Sequence, residues 1–120
     1  MLILAEDSWP LRQVMQIFLE NEGFDVRAVG HGGEVVDLLE GGTLPDLLIC
    51  DLHMPVCDGA ALVRYVRTNP DFADLPVLLL TGQVRAPDAL YADVQAVLTK
   101  PFDLDDLLAQ VWALVRHVAV

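Results

Sequence analysis

Four short, largely apolar runs along the chain each end in polar residues. The runs cover residues 2–5, 47–50, 77–80 and 97–99, and the polar residues that follow them are Glu6 with Asp7, Asp51, Thr81 and Lys100. A continuous apolar run of about four to eight residues between turn signals is typical of a strand buried on both faces of a parallel sheet. Because ligands of open parallel sheets bind beyond the carboxyl ends of the strands, these polar side chains are predicted to meet in one crevice.

Helical patterns separate the predicted strands. The first helix is predicted over about residues 9–22, with Ser8 as its cap, Gly23 at its end and an apolar stripe of Leu11, Val14, Met15, Phe18 and Leu19. A short strand is predicted over 26–29 and further helices over 34–40, 60–67 and 104–118, with a brief fourth helix that begins at Pro87 and Asp88. Strands that alternate with helices predict an α/β fold, in which right-handed crossovers put helices on both faces of a parallel sheet.

The composition predicts one folded domain over residues 1–120. Hydrophobic residues make up 54% of the chain, and no apolar run approaches the roughly 18 residues of a membrane-spanning helix. Lys and Arg number 7 against 18 Asp and Glu, and the net charge of −11 argues against direct binding to nucleic acid or to anionic membranes. We therefore expect a cytoplasmic location. Cys50 and Cys57 are too few for a disulfide framework, so both are expected to be reduced thiols.

Four motifs together resemble one protein family. They are Glu6-Asp7, the segment Asp-Leu-His-Met-Pro-Val-Cys-Asp-Gly over residues 51–59, Thr81-Gly82, and Lys100-Pro101-Phe102. In this order and at this spacing they make the chain similar to the receiver domain of two-component response regulators, from Leu2 to about Val118. The resemblance implies a three-layer αβα fold around a five-stranded parallel sheet, in the flavodoxin-like strand order 2-1-3-4-5 that the family is known for.

The resemblance implies a phosphoacceptor chemistry at the strand ends. Asp51 would be the nucleophile that becomes an aspartyl phosphate, while Lys100 and the hydroxyl of Thr81 would contact the phosphoryl oxygens. Lys100 would pair with Asp51 before phosphorylation. His53 and Gln83 occupy the positions where family members tune how water reaches the acyl phosphate.

A magnesium site is the second implication of the resemblance. Two carboxylates near 4 Å repel by roughly 4 kcal/mol at an effective dielectric of 20, so an acidic crevice needs a counter-ion. Mg²⁺ prefers octahedral oxygen ligands and keeps several waters. By resemblance, Asp7, Asp51 and the backbone carbonyl of His53 would be direct ligands, and Glu6 would act mainly through water.

The implied partner carries its phosphoryl group on a histidine. It would be a sensor histidine kinase or a histidine phosphotransfer protein, and receivers present the first helix to it. Trp9, Pro10 and Gln13 are therefore candidate docking residues, with packing of Trp9 over its own loop as the alternative. A homodimer through helix 4, strand 5 and helix 5 is a further expectation. The sequence leaves open whether the chain acts alone or within a longer protein.

Two departures from the family pattern keep an alternative open. Many receivers carry Tyr or Phe three residues before the Lys, where this chain has Val97, and the stretch between Thr81 and Lys100 is shorter than usual. The alternative is a receiver-fold docking module that acts independently of phosphorylation, although the complete set of acids and Lys argues against it. A phosphohydrolase of the haloacid dehalogenase type needs an acid where His53 stands. The expected role is a phosphoacceptor signalling domain and not an enzyme, with intrinsic autophosphorylation and autodephosphorylation left open.

Overall fold

A computed structural model describes residues 1–82 and 88–118, and side chains as far as residue 115. The strands are β1 (Leu2–Ala5), β2 (Val26–Val29), β3 (Leu47–Asp51), β4 (Val77–Thr81) and β5 (Ala96–Thr99). The helices are α1 (Trp9–Asn21), α2 (Gly32–Glu40), α3 (Gly59–Thr68), α4 (Asp88–Ala92) and α5 (Leu104–Val118). The brief fourth helix is thus confirmed, while Gln83 and Pro87 lie outside the described residues.

The five strands form one parallel sheet in the order β2-β1-β3-β4-β5, which confirms the flavodoxin-like prediction. Every residue of β1, β3 and β4 is buried. The prediction of burial on both faces was wrong for β5, whose residues are only partly buried or exposed. The reason is its position, because β5 pairs with β4 alone and forms an edge of the sheet.

Successive side chains of each central strand point into two different cores. Ile3 and Leu48 belong to the core under α2, α3 and α4, whereas Leu4 and Ile49 belong to the core under α1 and α5. This alternation is the period of two that a strand imposes on its side chains. A strand buried by helices on both faces must be apolar throughout, which explains the unbroken hydrophobic runs.

The start of α2 and the capping of α1 differ from the sequence prediction. Helix α2 begins at Gly32 and not at Glu34, because His31 caps it by accepting the Glu34 N–H on Nδ1 at 3.3 Å. A Cβ atom at Gly32 would lie 2.4 Å from the carbonyl oxygen of Cys57, so only glycine allows this approach. Ser8 stands at the predicted cap position of α1, but its side chain makes no capping hydrogen bond.

The start of α3 packs directly on the end of β3. A Cβ atom at Gly59 would lie 2.5 Å from the carbonyl oxygen of Asp51 and 2.7 Å from the Cα atom of Leu52. Both neighbours are backbone atoms, which cannot move aside as a flexible side chain would. The contact therefore sets the path of the chain that leaves β3 beside Asp51.

We expect Gly59→Ala to lower the free energy of unfolding by about 1–3 kcal/mol, the usual cost of overpacking a tight contact. Urea denaturation followed by circular dichroism measures this change. Gly82→Ala is the matched control, since no described atom lies within 4 Å of the position that its Cβ atom would take. Equal stability of the two variants would show that the close packing of Gly59 is unimportant.

Candidate functional site

Lys100 joins two buried carboxylates at the carboxyl edge of the sheet. Its Nζ donates hydrogen bonds to Glu6 Oε1 at 2.6 Å and to Asp51 Oδ2 at 2.7 Å. Glu6 is 0% exposed and Asp51 is 4% exposed, so both carboxylates depend on this ammonium group for compensation. The expected pairing of Lys100 with Asp51 is present, whereas the contact of Lys100 with Glu6 was not predicted from the sequence.

Glu6 has both carboxylate oxygens engaged. Besides the contact of Oε1 with Lys100, its Oε2 accepts the Ser8 N–H at 3.0 Å. The backbone carbonyl of Glu6 accepts a hydrogen bond from Arg12 Nη1 at 2.8 Å, which ties the loop after β1 to α1. Glu6 thus holds Lys100 and its own loop in position. No sequence signal pointed to Arg12, because its partner is a backbone atom with no periodic pattern.

Burial and pairing act in opposite directions on these ionisable groups. Burial raises the pKa of Glu6 above its ordinary value, while the hydrogen bonds from Lys100 and from the Ser8 N–H oppose this change. For Lys100, burial alone would lower the pKa, but the hydrogen bonds and charges of Asp51 and Glu6 raise it overall. Lys100 therefore stays protonated between the two acids.

Glu6, Asp7 and Asp51 form an acidic cluster whose donor set fits a divalent cation. One carboxylate oxygen from each lies within 4.8 Å of the others, and Asp7 is the exposed member. Three carboxylates and one ammonium leave two negative charges in the ionised site. Carboxylate oxygens at this separation match the hard ligands that Mg²⁺ prefers. The other oxygen of Asp51, Oδ1, accepts the backbone N–H of His53 at 3.2 Å.

Thr81 is the last residue of β4 and lies next to Lys100, where the turn after β5 begins. It is 3% exposed, and its backbone carbonyl accepts the Lys100 N–H at 2.7 Å. The peptide bond between Lys100 and Pro101 is cis. Val97 pairs with Leu79 in the sheet and is partly buried. The structure therefore gathers all the predicted strand-end residues at one edge of the sheet.

Two concave surfaces flank the acidic cluster. An open cavity of about 490 Å³ is lined by Asp7, His53, Met54, Pro55 and Asp58. An apolar groove of about 470 Å³ between α1 and the turn after β5 is lined by Leu11, Val14, Gly82, Lys100, Pro101, Phe102 and Leu104. Trp9, the first residue of α1, is 62% exposed.

The two thiols near the site differ in accessibility. Cys50, directly before the phosphoacceptor candidate, is completely buried, and burial together with the charge of Asp51 raises its pKa to about 12. Cys57 is half-buried, and burial and the charge of Asp58 raise its pKa as well. Both cysteines are free thiols, as expected.

Comparisons with known proteins agree with this geometry. The family model for the response regulator receiver domain matches residues 2–112. The chain belongs to this family. Its members accept a phosphoryl group on an aspartate, generally use Mg²⁺ at an acidic pocket, and are phosphorylated by histidine kinases. The fold and family predicted from the sequence are thereby confirmed.

Several relatives of this receiver are regulators of about twice its length. The DNA-binding dual master transcriptional regulator RpaA of Synechocystis is 32% identical over 97% of this chain and 49% of its own length. Response regulator MprA of Mycobacterium avium is 32% identical over 97% of this chain and 51% of its own. The receiver domain of a signal transduction histidine kinase from Syntrophus aciditrophicus is 31% identical, with a TM-score of 0.86 over 98% of this chain and 90% of that one.

The comparison with RpaA bears on the expectation, drawn from the net negative charge, that the chain does not bind nucleic acid directly. Because that relative is a DNA-binding regulator and this receiver spans about half of it, the expectation of no direct nucleic-acid contact is unsupported.

Within the described part of the chain, no helix has the length and apolar character needed to cross a membrane.

We expect one accessible and one protected thiol in the native receiver. Both thiols have a raised pKa, but only Cys50 is completely buried, so Ellman's reagent should modify Cys57 alone until the protein is denatured. Cys57→Ser should abolish the native reaction, whereas Cys50→Ala should leave it intact. Two equally fast thiols in the native protein would contradict the described burial.

Proposed function

We propose that this receiver accepts a phosphoryl group on Asp51 from a histidine kinase or a histidine phosphotransfer protein. The observation that carries the proposal is the environment of the Asp51 carboxylate. Oδ2 contacts the Lys100 ammonium, and Oδ1 accepts the His53 N–H, so the carboxylate is held in one orientation beside Asp7 and His53, which line an open cavity. Positioning and charge compensation are what phosphoryl transfer requires of a protein.

In the proposed reaction, an oxygen of Asp51 attacks the phosphorus of the phosphohistidine. A bond from this oxygen to phosphorus forms, the phosphorus–nitrogen bond breaks, and the imidazole leaves with the bonding electron pair. The product is an aspartyl phosphate. The positive charge of Lys100 lies where negative charge accumulates on the phosphoryl oxygens, and it stabilises that charge.

Asp7, Asp51 and the backbone carbonyl of His53 are the proposed ligands of Mg²⁺, with Glu6 acting mainly through water. The support is the acidic cluster, which carries two excess negative charges beside Lys100 when all three carboxylates are ionised. A bound ion would supply charge neutralisation for an incoming phosphoryl group. Because Glu6 already bonds Lys100 and the Ser8 N–H, it is suited to holding the surrounding groups and not to direct coordination.

The proposal extends to signal output and partner docking. The Thr81 hydroxyl would sense the phosphoryl group, without an aromatic partner because position 97 is Val. The apolar groove beside Lys100 and the exposed Trp9 would receive the phosphodonor.

The proposal also includes a single domain over residues 1–120, a cytoplasmic location and a homodimer through α4, β5 and α5.

A second candidate function is a receiver-fold docking module that works without phosphorylation. Val97 and the five-residue α4 favour it, because both depart from the usual switch. The intact contacts of Lys100 with Asp51 and Glu6 favour the phosphoacceptor instead. Phosphorylation by a small-molecule donor separates the two.

We expect acetyl phosphate with Mg²⁺ to add one phosphoryl group to the protein, as measured by intact mass. Asp51→Asn should remain unmodified, because an amide oxygen is a poor nucleophile. Asp58→Asn is the control, since Asp58 lies in the same loop and caps α3. Undiminished labelling of Asp51→Asn would refute the assignment, and absence of labelling in the wild type would favour the docking module.

We expect millimolar Mg²⁺ to raise the melting temperature by several degrees. A ligand that binds only the folded state stabilises it by about 2.7 kcal/mol at 100 times its Kd. Asp7→Asn should lose most of this rise, whereas Asp105→Asn, which removes an exposed charge on α5, should keep it. Equal rises in all three proteins, measured by calorimetry, would rule out the proposed site.

A further inference from the structure

Arg12 reaches back from α1 to the loop that carries Glu6 and Asp7. It lies in the first turn of the helix, and its backbone N–H donates to the Ser8 carbonyl at 2.8 Å. Its Nη1 donates to the Glu6 carbonyl, also at 2.8 Å. One residue therefore fixes both ends of the connection between β1 and α1.

The Glu6 carbonyl belongs to the peptide group that leads into Asp7. Because a peptide group is planar, the direction of this carbonyl also sets the direction of the Asp7 N–H and the position of the Asp7 Cα atom. Asp7 is exposed, so packing contributes little to the orientation of its side chain. The hydrogen bond from Arg12 thus acts on a proposed Mg²⁺ ligand that burial does not hold in place.

The other polar groups of Glu6 are held by different partners. Its N–H donates to the Val29 carbonyl at 3.1 Å, and its carboxylate contacts Lys100. Loss of the Arg12 side chain would therefore leave the contact of Glu6 with Lys100 in place and release the peptide group before Asp7. The expected effect is confined to the orientation of Asp7.

Gly30 makes room for the guanidinium of Arg12. A Cβ atom at this position would lie 3.2 Å from Arg12 Nη1, a closer approach than most side chains make. The Gly30 N–H donates to Glu34 Oε1 at 3.3 Å, which holds the turn between β2 and α2. The guanidinium therefore lies between the loops that follow β1 and β2, both at the carboxyl edge of the parallel sheet.

Two effects of Arg12 on a bound cation have opposite signs. Its positive charge near the acidic cluster disfavours a second cation. Its hydrogen bond to the Glu6 carbonyl favours the cation, because groups that orient a ligand without touching the metal typically contribute about 10–100-fold to affinity. The sign of the change in a variant without the guanidinium therefore shows which effect dominates.

We propose that Arg12 is a positioning residue of the metal site, which directs the peptide group between Glu6 and Asp7 so that the Asp7 carboxylate faces the acidic cluster before Mg²⁺ binds. The inference rests on the proposed function and deepens it, because it assigns part of the Mg²⁺ affinity to a residue that is not a ligand. Gly30 contributes by leaving the space that the guanidinium occupies.

An MgCl₂ titration of the full chain, followed by the amide shifts of residues 6–9 in NMR spectra, tests this role. Arg12→Met keeps a long side chain but loses the charge and all donors, and it should bind Mg²⁺ roughly tenfold more weakly. Arg12→Lys keeps the charge and an ammonium donor, so its affinity should lie between those of Arg12→Met and the wild type. Arg27→Met removes an exposed arginine of β2 and should bind as the wild type does.

Gly30→Ala tests the same contact from the opposite side. The added methyl group should displace Arg12 Nη1 and weaken Mg²⁺ binding by about twofold or more. In the Arg12→Met background the same change should have no further effect, because the contact that it disturbs is already absent. Losses that multiply in the double variant would overturn the assigned role of Gly30.

Three results of the titration would overturn the inference, and they differ in what else they affect. An affinity in Arg12→Met that equals or exceeds that of the wild type would overturn the positioning role and leave the metal site standing. Weaker binding together with altered amide shifts throughout β3 would also overturn that role, since it indicates a general loss of structure. No Mg²⁺ binding by the wild type would overturn the metal site and the positioning role together.

Discussion

The contact of Lys100 with Glu6 and Asp51 is the interaction on which the site depends. Two carboxylates that are nearly inaccessible to water carry a large desolvation cost, and a single ammonium within 2.7 Å of both offsets it. The strand order makes this possible, because β1 and β3 are neighbours and β5 lies at the edge beyond β4. Removing Lys100 would leave two buried carboxylates without a charged partner.

The same contact determines which carboxylates of the site remain available to a ligand. Lys100 and the Ser8 N–H engage both oxygens of Glu6, whereas Asp7 is exposed, so the excess negative charge faces the open cavity. Excess negative charge at an open cavity attracts divalent cations. The charge of Glu6 thus serves the structure, whereas the charge of Asp7 is available to a ligand.

The two edges of the sheet have different roles. The carboxyl edge carries the acidic cluster, whereas at the amino edge Arg67 and Gln95 hold the loops together through backbone carbonyls. Helix α4, in the connection between β4 and β5, has five residues, of which only Leu90 is buried.

The sequence alone determined the strands, the helices and the set of strand-end residues. Apolar runs and helical stripes are local patterns, and residues such as Asp51 and Thr81 follow directly from where a run ends. Tertiary structure alone decided the partial exposure of β5, the start of α2 at Gly32 and the contacts of Arg67. It also decided that Lys100 pairs with Glu6, which lies 94 positions away in sequence. These features depend on distances between remote segments, and no local pattern of side chains records such distances.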